Sequence, residues 1–230
     1  MKCNDDELND LEYENALKID KRNYCQFYIS LLKTKHDILF TFFINNDYNS
    51  KMVKIDLLLF NFVLEFTINA FFFSDDTMHQ IYEDNGSFNF LYQLPQILYS
   101  AKISRILNIF LGMLALSQNI ILEYKNNKRS DDLNRKKINI NKKIKIKLII
   151  YYIFSSIFLC FFWYYISIFC AIYVNTQIHL IKDTLIGYII SLISPFLFNL
   201  IPGIFRIISL HNKKSKRKFL YIISKIIQVI

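Results

Sequence analysis

The sequence predicts an all-α protein: a polytopic transmembrane helical bundle of about four spans in two hairpins, with an amphipathic interfacial helix at each end. Composition is the first support. Apolar residues make up 53% of the 230 residues and charged residues 20%, against about 25% charged residues in ordinary domains. Four Gly and three Pro exclude a collagen-like chain, and four Cys argue against a disulfide scaffold. Long apolar runs and clustered basic residues are the other two observations.

The N-terminal segment is acidic and lacks the apolar core of a cleavable signal peptide. Its first twenty-three residues read MKCNDDELNDLEYENALKIDKRN. A secretory signal needs a positively charged start followed by an apolar stretch. We therefore expect the first membrane segment itself to direct insertion.

Four apolar runs approach the twenty or so residues that a bilayer requires. They are about Leu57 to Phe73, Ile103 to Leu122, Leu148 to Tyr173 and Thr184 to Leu210. The third contains fourteen Leu, Ile, Phe or Val residues and no charge, so its insertion is favourable by about 4 to 8 kcal/mol. The first carries Glu65 near its middle, and the second carries Arg105 close enough to its end to reach the interface.

The basic residues predict the orientation. Of 28 Lys and Arg residues, eight precede the first run, ten lie between the second and third runs, and seven lie from Arg206 onward. Only Lys102, Arg105 and Lys182 remain for the other side. Basic residues concentrate in cytoplasmic segments, so both termini are expected in the cytoplasm.

These runs divide the chain into five segments. They are a cytoplasmic start with an interfacial helix (1–54), a first hairpin with an acidic outer loop (55–123), a basic linker (124–147), a second hairpin (148–210) and a polybasic tail (211–230). The linker has no usable apolar core and is expected to be disordered or adsorbed to the membrane by its charge. Pro95 is expected to break any helix in the polar stretch before the second span.

Two segments flank the spans as candidate surface helices. Tyr24 to Ile44 is apolar but interrupted at Lys33 to Asp37, which fits either an interfacial helix or a helix packed on the ends of the bundle. The C-terminal helix follows a cluster of basic residues expected to contact anionic lipid headgroups. That cluster consists of Lys213, Lys214, Lys216, Arg217 and Lys218. Because it adjoins membrane segments, lipid is favoured over nucleic acid as its partner.

A polar face lies within the first span. Asn61, Glu65 and Asn69 follow one another at intervals of four, so they share one side of a helix. A carboxylate in hydrocarbon is costly and should face protein or water. One interpretation is a cation or proton path. The other is hydrogen bonding between helices, with Arg105 or Lys102 of the second span as the partner of Glu65.

The loop after the first span contains four acidic residues, one His and no basic residue. If it is helical, Asp76, His79 and Glu83 share a face, and Asp75, His79 and Glu83 would serve equally. Carboxylates and imidazole are suitable ligands for a divalent ion. The alternative is a solvated loop, so a metal at this place is left open. The loop between the last two spans brings His179, Lys182 and Asp183 to the same side, where Lys182 could pair with the acids.

No motif indicates an enzyme or a cofactor. The chain lacks a phosphate-binding loop, a nucleophile motif, a zinc pattern and a dinucleotide fingerprint. The Trp163 to Tyr165 cluster falls near the middle of the third run and is expected to serve in helix packing.

Three stretches resemble an uncharacterised family of multi-pass membrane proteins of single-celled eukaryotes. They are Glu14 to His36, Ile68 to Ser100 and Phe161 to Ile186. In that family, similar segments form the C-terminal membrane module of larger chains. The resemblance implies a membrane module and no catalytic or binding residues.

The expected function is that of a membrane anchor or interaction module. The alternative is a subunit of an ion channel or transporter, with Glu65 and the acidic outer loop on a cation path. The expected partners are the bilayer, anionic headgroups, and other membrane subunits or copies of the chain; no nucleic acid is expected.

Overall fold

The computed structural model describes residues 5–43, 47–118, 120–122, 133–210 and 218–229. These residues form helices and no strands, so the all-α class is confirmed. They belong to two compact units. Unit 1 combines residues 1–45 with 192–230, and unit 2 comprises residues 46–191.

The helices of the described residues follow one another along the chain with short breaks. They are α1 (Asp5–Asn9), α2 (Tyr13–Ile19), α3 (Tyr24–Lys35), α4 (Asp37–Phe43), α5 (Lys51–Phe71), α6 (Asp75–Glu83), α7 (Phe90–Ala115), α8 (Leu133–Ile172), α9 (Gln177–Phe198), α10 (Leu200–Leu210) and α11 (Lys218–Val229). A 3₁₀ turn, Val174–Thr176, leads into α9.

Three stretches in the described part of the chain are long and apolar enough to cross a membrane. They are Phe90–Leu122, Lys137–Ile172 and Val174–Leu210. The run predicted as the first span lies mostly in α5, which meets this standard only together with α6, across a bend of 81°. The structure therefore supports three spanning helices, or four if the bent pair counts as one.

Unit 2 is built around α5, which packs on α7 and α8. Its buried apolar face includes Leu57, Phe60 and Leu64, and the Phe60 ring lies 6.2 Å from that of Phe162 on α8. Only 17–22% of the residues in the most apolar windows of the three long stretches are buried. Most of their apolar side chains therefore face outward, which suits a hydrocarbon environment.

Unit 1 joins α3 to the C-terminal helices. α3 starts with a capping box between Asn23 and Gln26 and ends at His36, within the predicted interruption. It packs on α1 and α10, and α10 packs on α11. The Tyr28 hydroxyl donates to Phe196 O at 2.9 Å, one of the carbonyls that the end of α9 leaves without a helical partner. The segment from Tyr24 was expected to be either an interfacial helix or a helix packed on other helices. The contacts of α3 are those of a packed helix.

The structure corrects three local predictions in whole or in part. Pro95 lies inside α7 rather than breaking it, at the cost of the one backbone hydrogen bond that its missing N–H would make. Disorder of the linker is wrong from Leu133 onward, where it forms the first part of α8, because residues can extend a helix that is already nucleated at little cost; its adsorption to the membrane stays a prediction. In the cluster expected to pack, Trp163 is 69% exposed, whereas the Tyr165 ring is stacked on Phe71 at 4.0 Å.

Gly203 allows close contact between α10 and α3. A Cβ at Gly203 would lie 2.9 Å from Cε2 of Tyr24, whose ring is stacked on Tyr28. We expect Gly203→Ala to destabilise the protein by about 1 to 3 kcal/mol through overpacking, measured by thermal unfolding in detergent. Gly112→Ala is the matched control, because its Cβ would meet only Leu116 at 3.9 Å. Equal stability of the two variants would refute this packing.

Candidate functional site

The polar face of α5 lies in the interior of unit 2. Asn61, Glu65 and Asn69 are each at most 2% exposed. Asn69 is well satisfied: its Nδ2 donates to Thr184 Oγ1 on α9 at 3.2 Å, and its Oδ1 accepts from Gln96 Nε2 on α7 at 3.3 Å. This amide therefore links three helices.

Glu65 has a different environment. Its Oε1 accepts no hydrogen bond, although the side chain is buried. A Cβ at Gly187 would lie 2.6 Å from this oxygen, so the carboxyl group lies directly against the backbone of α9. The Ser104 hydroxyl of α7 is close to the carboxyl group, but its Oγ also has no hydrogen-bond partner. Buried polar atoms without partners are uncommon in folded proteins.

The basic residues predicted as partners of Glu65 are less buried than Glu65 itself. Lys102 is exposed and Arg105 is half-buried. Ser104, which lies between them in sequence, is the fully buried residue of this part of α7. Burial therefore places Ser104, rather than either cation, on the interior side of the helix.

Asp183 is a second buried acid, and sequence analysis assigned it to a loop. The structure starts α9 at Gln177, which places Asp183 inside the helix with no exposed surface. Neither of its carboxylate oxygens has a hydrogen-bond partner. Its spacing of four residues from both His179 and Gly187 was the available signal, because residues at that interval share a helix face.

The predicted outer cation site forms part of α6. Asp75 and Asp76 lie in its first turn, where acidic residues favour the helix dipole. His79 Nε2 lies 3.1 Å from Glu83 Oε1, with both side chains largely exposed. In the described part of the chain, no group of three or more His, Cys, Asp and Glu residues is arranged to hold a metal ion. Lys182, the predicted ion-pair partner, lies over the Phe88 ring at 5.4 Å.

Unit 1 contains a buried ionic cluster that sequence analysis missed. The Asp20 carboxylate lies between two guanidinium groups. Arg206 Nη2 is 2.9 Å from Asp20 Oδ2, with both side chains at most 2% exposed. Arg22 Nε is 2.8 Å from Asp20 Oδ1. Arg206 had been counted among the cytoplasmic cations, but its partner lies 186 residues earlier in the chain.

The remaining donors of Arg206 are also used. Its Nη1 donates to Asn9 O at 3.1 Å and its Nη2 to Leu8 O at 2.6 Å. Its guanidinium carbon lies 4.7 Å from the centre of the Phe27 ring and 5.0 Å from that of Tyr221, distances suited to cation–π contact. One side chain near the middle of α10 thus contacts the α1–α2 region, α3 and α11.

The electrostatics of Asp20 reflect its two partners. Burial on its own would raise the pKa of this carboxyl group, but the hydrogen bonds and positive charges of Arg22 and Arg206 outweigh burial and lower it below the usual value. The carboxylate therefore stays ionised in the folded protein at neutral pH.

Most of the polybasic cluster expected to contact lipid headgroups, Lys213, Lys214, Lys216 and Arg217, lies outside the described residues. Lys218 begins α11 and is exposed. The polar face of α11 points into unit 1: Tyr221 OH donates to Leu11 O at 2.7 Å, and Ser224 Oγ donates to Pro202 O at 2.8 Å.

By fold, the chain is an all-helical protein with several helices long and apolar enough to cross a membrane. Comparison with protein-family models, curated proteins and solved structures gave no match.

Asp20 offers a direct test of the ionic cluster. Asp20→Asn leaves two buried guanidinium groups without their counter-charge, which typically costs about 3 to 5 kcal/mol. We expect a clearly lower unfolding temperature in detergent. The matched control is Asp10→Asn, because Asp10 pairs with Lys225 at 3.6 Å while 93% exposed. If both variants have the same unfolding temperature as the wild type, the ionic cluster does not stabilise unit 1.

Acid should also weaken unit 1. A carboxyl group whose pKa is lower in the folded state stabilises the fold above its unfolded pKa, about 3.9, and this stabilisation is lost as pH falls through the folded pKa. We therefore expect unit 1 to lose stability below about pH 4. Circular dichroism or protease digestion at a series of pH values measures this loss. Asp20→Asn should flatten this part of the profile; an unchanged profile would contradict the role of Asp20.

Proposed function

We propose that this chain is a multi-pass membrane anchor and interaction module, with four spans in two hairpins and both ends in the cytoplasm. The distribution of Lys and Arg supports this orientation. The 21 residues of α5, enough to cross a bilayer, support the fourth crossing, with the acidic α6 outside the membrane.

One observation carries the proposal: the polarity of α10 and α11 is reversed relative to helices of soluble proteins. Their buried side chains include Arg206, Ser209, Tyr221 and Ser224. Their large exposed side chains are apolar: Leu200, Ile201, Ile204, Ile208, Phe219, Ile222 and Ile226. A surface of this kind is costly in water and favourable against lipid. It supports a unit 1 embedded at the membrane, with Lys213 to Lys218 at anionic headgroups.

The interaction role rests on how unit 1 is assembled. The ion pair between Arg206 and Asp20 joins the N-terminal helices to α10. A partner bound by these segments would then be attached firmly to the membrane. Such a partner is another membrane subunit or a second copy of this chain, in keeping with the outward-facing apolar surface.

Glu65 and Asp183 favour a second function, a subunit of an ion channel or transporter. Acidic side chains within membrane segments usually pair with a basic group or lie on an ion or proton pathway. Both are buried, and three of their oxygens lack hydrogen-bond partners. A path through α5 and α9 would use these two groups.

Cysteine labelling tests the proposed topology. In a full-length background with the native Cys replaced by Ser, we introduce His79→Cys, Lys137→Cys or Trp163→Cys. A membrane-impermeant maleimide applied to sealed vesicles should reach the first two positions from opposite sides, because a single proposed span, Phe90–Leu122, lies between them. Position 163 should stay unlabelled from either side, because it lies in lipid. Labelling of positions 79 and 137 from the same side would refute the topology.

Flux measurements test the second function. Proteoliposomes containing the chain are assayed for proton and monovalent-cation flux, with Glu65→Gln as the test variant and Glu14→Gln as the control. On this proposal flux is lost in the first and kept in the second, because Glu14 is exposed on α2, away from both Glu65 and the acidic outer loop. Flux that survives Glu65→Gln, or that is absent from the wild type, removes the pathway and leaves the anchor.

A further inference from the structure

Three buried titratable side chains form a row along the inner face of α9. His179 and Asp183 stand four residues apart on this helix, and Gly187 follows after another four. The Glu65 carboxyl group occupies the space beside Gly187. Residues at this interval share a face and lie about 6 Å apart along the axis. His179, Asp183 and Glu65 therefore lie in sequence from the N-terminal end of α9 inward.

Every member of this row has an unused polar atom. His179 Nδ1, both oxygens of Asp183 and Glu65 Oε1 have no hydrogen-bond partner, although none of the three residues is more than 3% exposed. The Ser104 hydroxyl beside Glu65 is likewise fully buried. Buried polar groups with a purely structural role are normally paired. These carboxylate oxygens and the imidazole nitrogen can accept a proton or a hydrogen bond.

The ring of His179 is set up as a base. Its Nε2 lies 3.2 Å from Gly86 O, and a carbonyl oxygen only accepts, so Nε2 carries the hydrogen of the neutral ring. Nδ1 is then the unprotonated nitrogen with a free lone pair. The tautomer thus directs a proton acceptor into the interior.

The charge of Lys182 acts on His179, but neither oxygen of Asp183 and not Oε1 of Glu65 has a hydrogen-bond partner. On the helices around it, Lys102 and Lys182 are exposed and Arg105 is half-buried. The buried base among the described residues of unit 2 is Lys54, which pairs with Asp47 at 2.8 Å and is about 16 Å along α5 from Glu65.

Of the other titratable groups on α7 and α8, Tyr92, Tyr99, Tyr152, Cys160 and Tyr164 are exposed. Tyr151 OH donates to Asp56 Oδ2 at 2.7 Å, and Tyr165 OH donates to Ala70 O at 3.5 Å. Cys170 and Tyr188 are half-buried. None of these groups brings a positive charge to the row.

The chemistry favours the proton as ligand. An isolated carboxylate in an apolar interior is costly enough that the group becomes neutral. A proton achieves this without a shell of oxygen ligands, whereas a divalent ion needs several. The described residues contain no cluster of three His, Cys, Asp and Glu residues for a metal.

We propose that Glu65 and Asp183 form a buried proton-binding site, which His179 connects to the N-terminal end of α9. A proton added to His179 Nδ1 gives an imidazolium. Its transfer to the Asp183 carboxylate gives a carboxylic acid and regenerates the neutral ring, and a second transfer protonates Glu65. Each step moves one proton only. Each spacing exceeds a hydrogen bond, so transfer proceeds through a bridging water or a side-chain rotation. A transport role rests on the proposed pathway function, but proton binding does not.

Two measurements on full-length protein in proteoliposomes test the site. An apolar carbodiimide reacts with protonated carboxyl groups in an apolar environment, and peptide mass spectrometry locates the adducts. We expect adducts on Glu65 and Asp183 at neutral pH, with a yield falling roughly tenfold per pH unit above the midpoint of titration. The exposed Glu83 and Asp76 are the internal controls and should remain unmodified.

Infrared spectroscopy provides the second measurement, which depends on no reagent. The carbonyl band of protonated carboxyl groups should be present at neutral pH. Its intensity should fall by about half in Glu65→Gln and in Asp183→Asn, because each variant lacks one of the two protonated acids. In Glu83→Gln the intensity of the band should be unchanged. Thermal melting confirms that each variant is folded.

His179→Gln tests the connection, with the exposed His79→Gln as its matched control. After a rapid pH change, protonation of Asp183 should slow at least tenfold in the first variant and stay unchanged in the second. Folded protein without adducts and without the carbonyl band overturns the site, and equal rates in the two His variants overturn the connection. These two outcomes differ from failure of the transport function. In that case the site titrates as expected, but neither the wild type nor any variant shows flux.

Discussion

The structure depends on one constraint: its outer surface is apolar, so its polar side chains must find partners inside. Arg206 shows how this constraint is met. Its guanidinium group is fully buried and receives a carboxylate, two backbone carbonyls and two aromatic rings. Such a group is tolerated in an apolar setting only when charge and hydrogen bonds are both satisfied. The isoleucines of α10 and α11 can then face outward.

The two units treat buried charge differently, and this difference bears on function. In unit 1 Asp20 is matched by two arginines, an arrangement that fixes the N-terminal helices to the C-terminal ones. In unit 2 Glu65 and Asp183 are buried without such matching. Paired charges mainly provide structure, whereas perturbed unpaired acids cluster at functional sites. The proposed anchoring role therefore rests on unit 1, and the proposed ionisable site lies in unit 2.

Hydropathy and residue spacing in the sequence predicted the features that depend on residues close together in the chain. Hydropathy placed the long helices, and intervals of four placed Asn61, Glu65 and Asn69 on one face of α5. The Asp20–Arg206 pair could not be found in this way, because 186 residues separate its members and nothing local marks either one. Asp183 was missed because the helix was expected to begin after it. Trp163 was expected to pack, because hydropathy identifies a span but not which side meets lipid.

The central claim, that these outward apolar faces meet hydrocarbon, is tested most directly at Trp163. It is the single tryptophan of the chain, it is 69% exposed, and it lies within an uncharged apolar part of α8. In proteoliposomes we expect blue-shifted emission that is quenched strongly by lipids brominated deep in the acyl chain and hardly at all by aqueous iodide. Red-shifted emission quenched by iodide, with no effect of brominated lipid, would contradict the account.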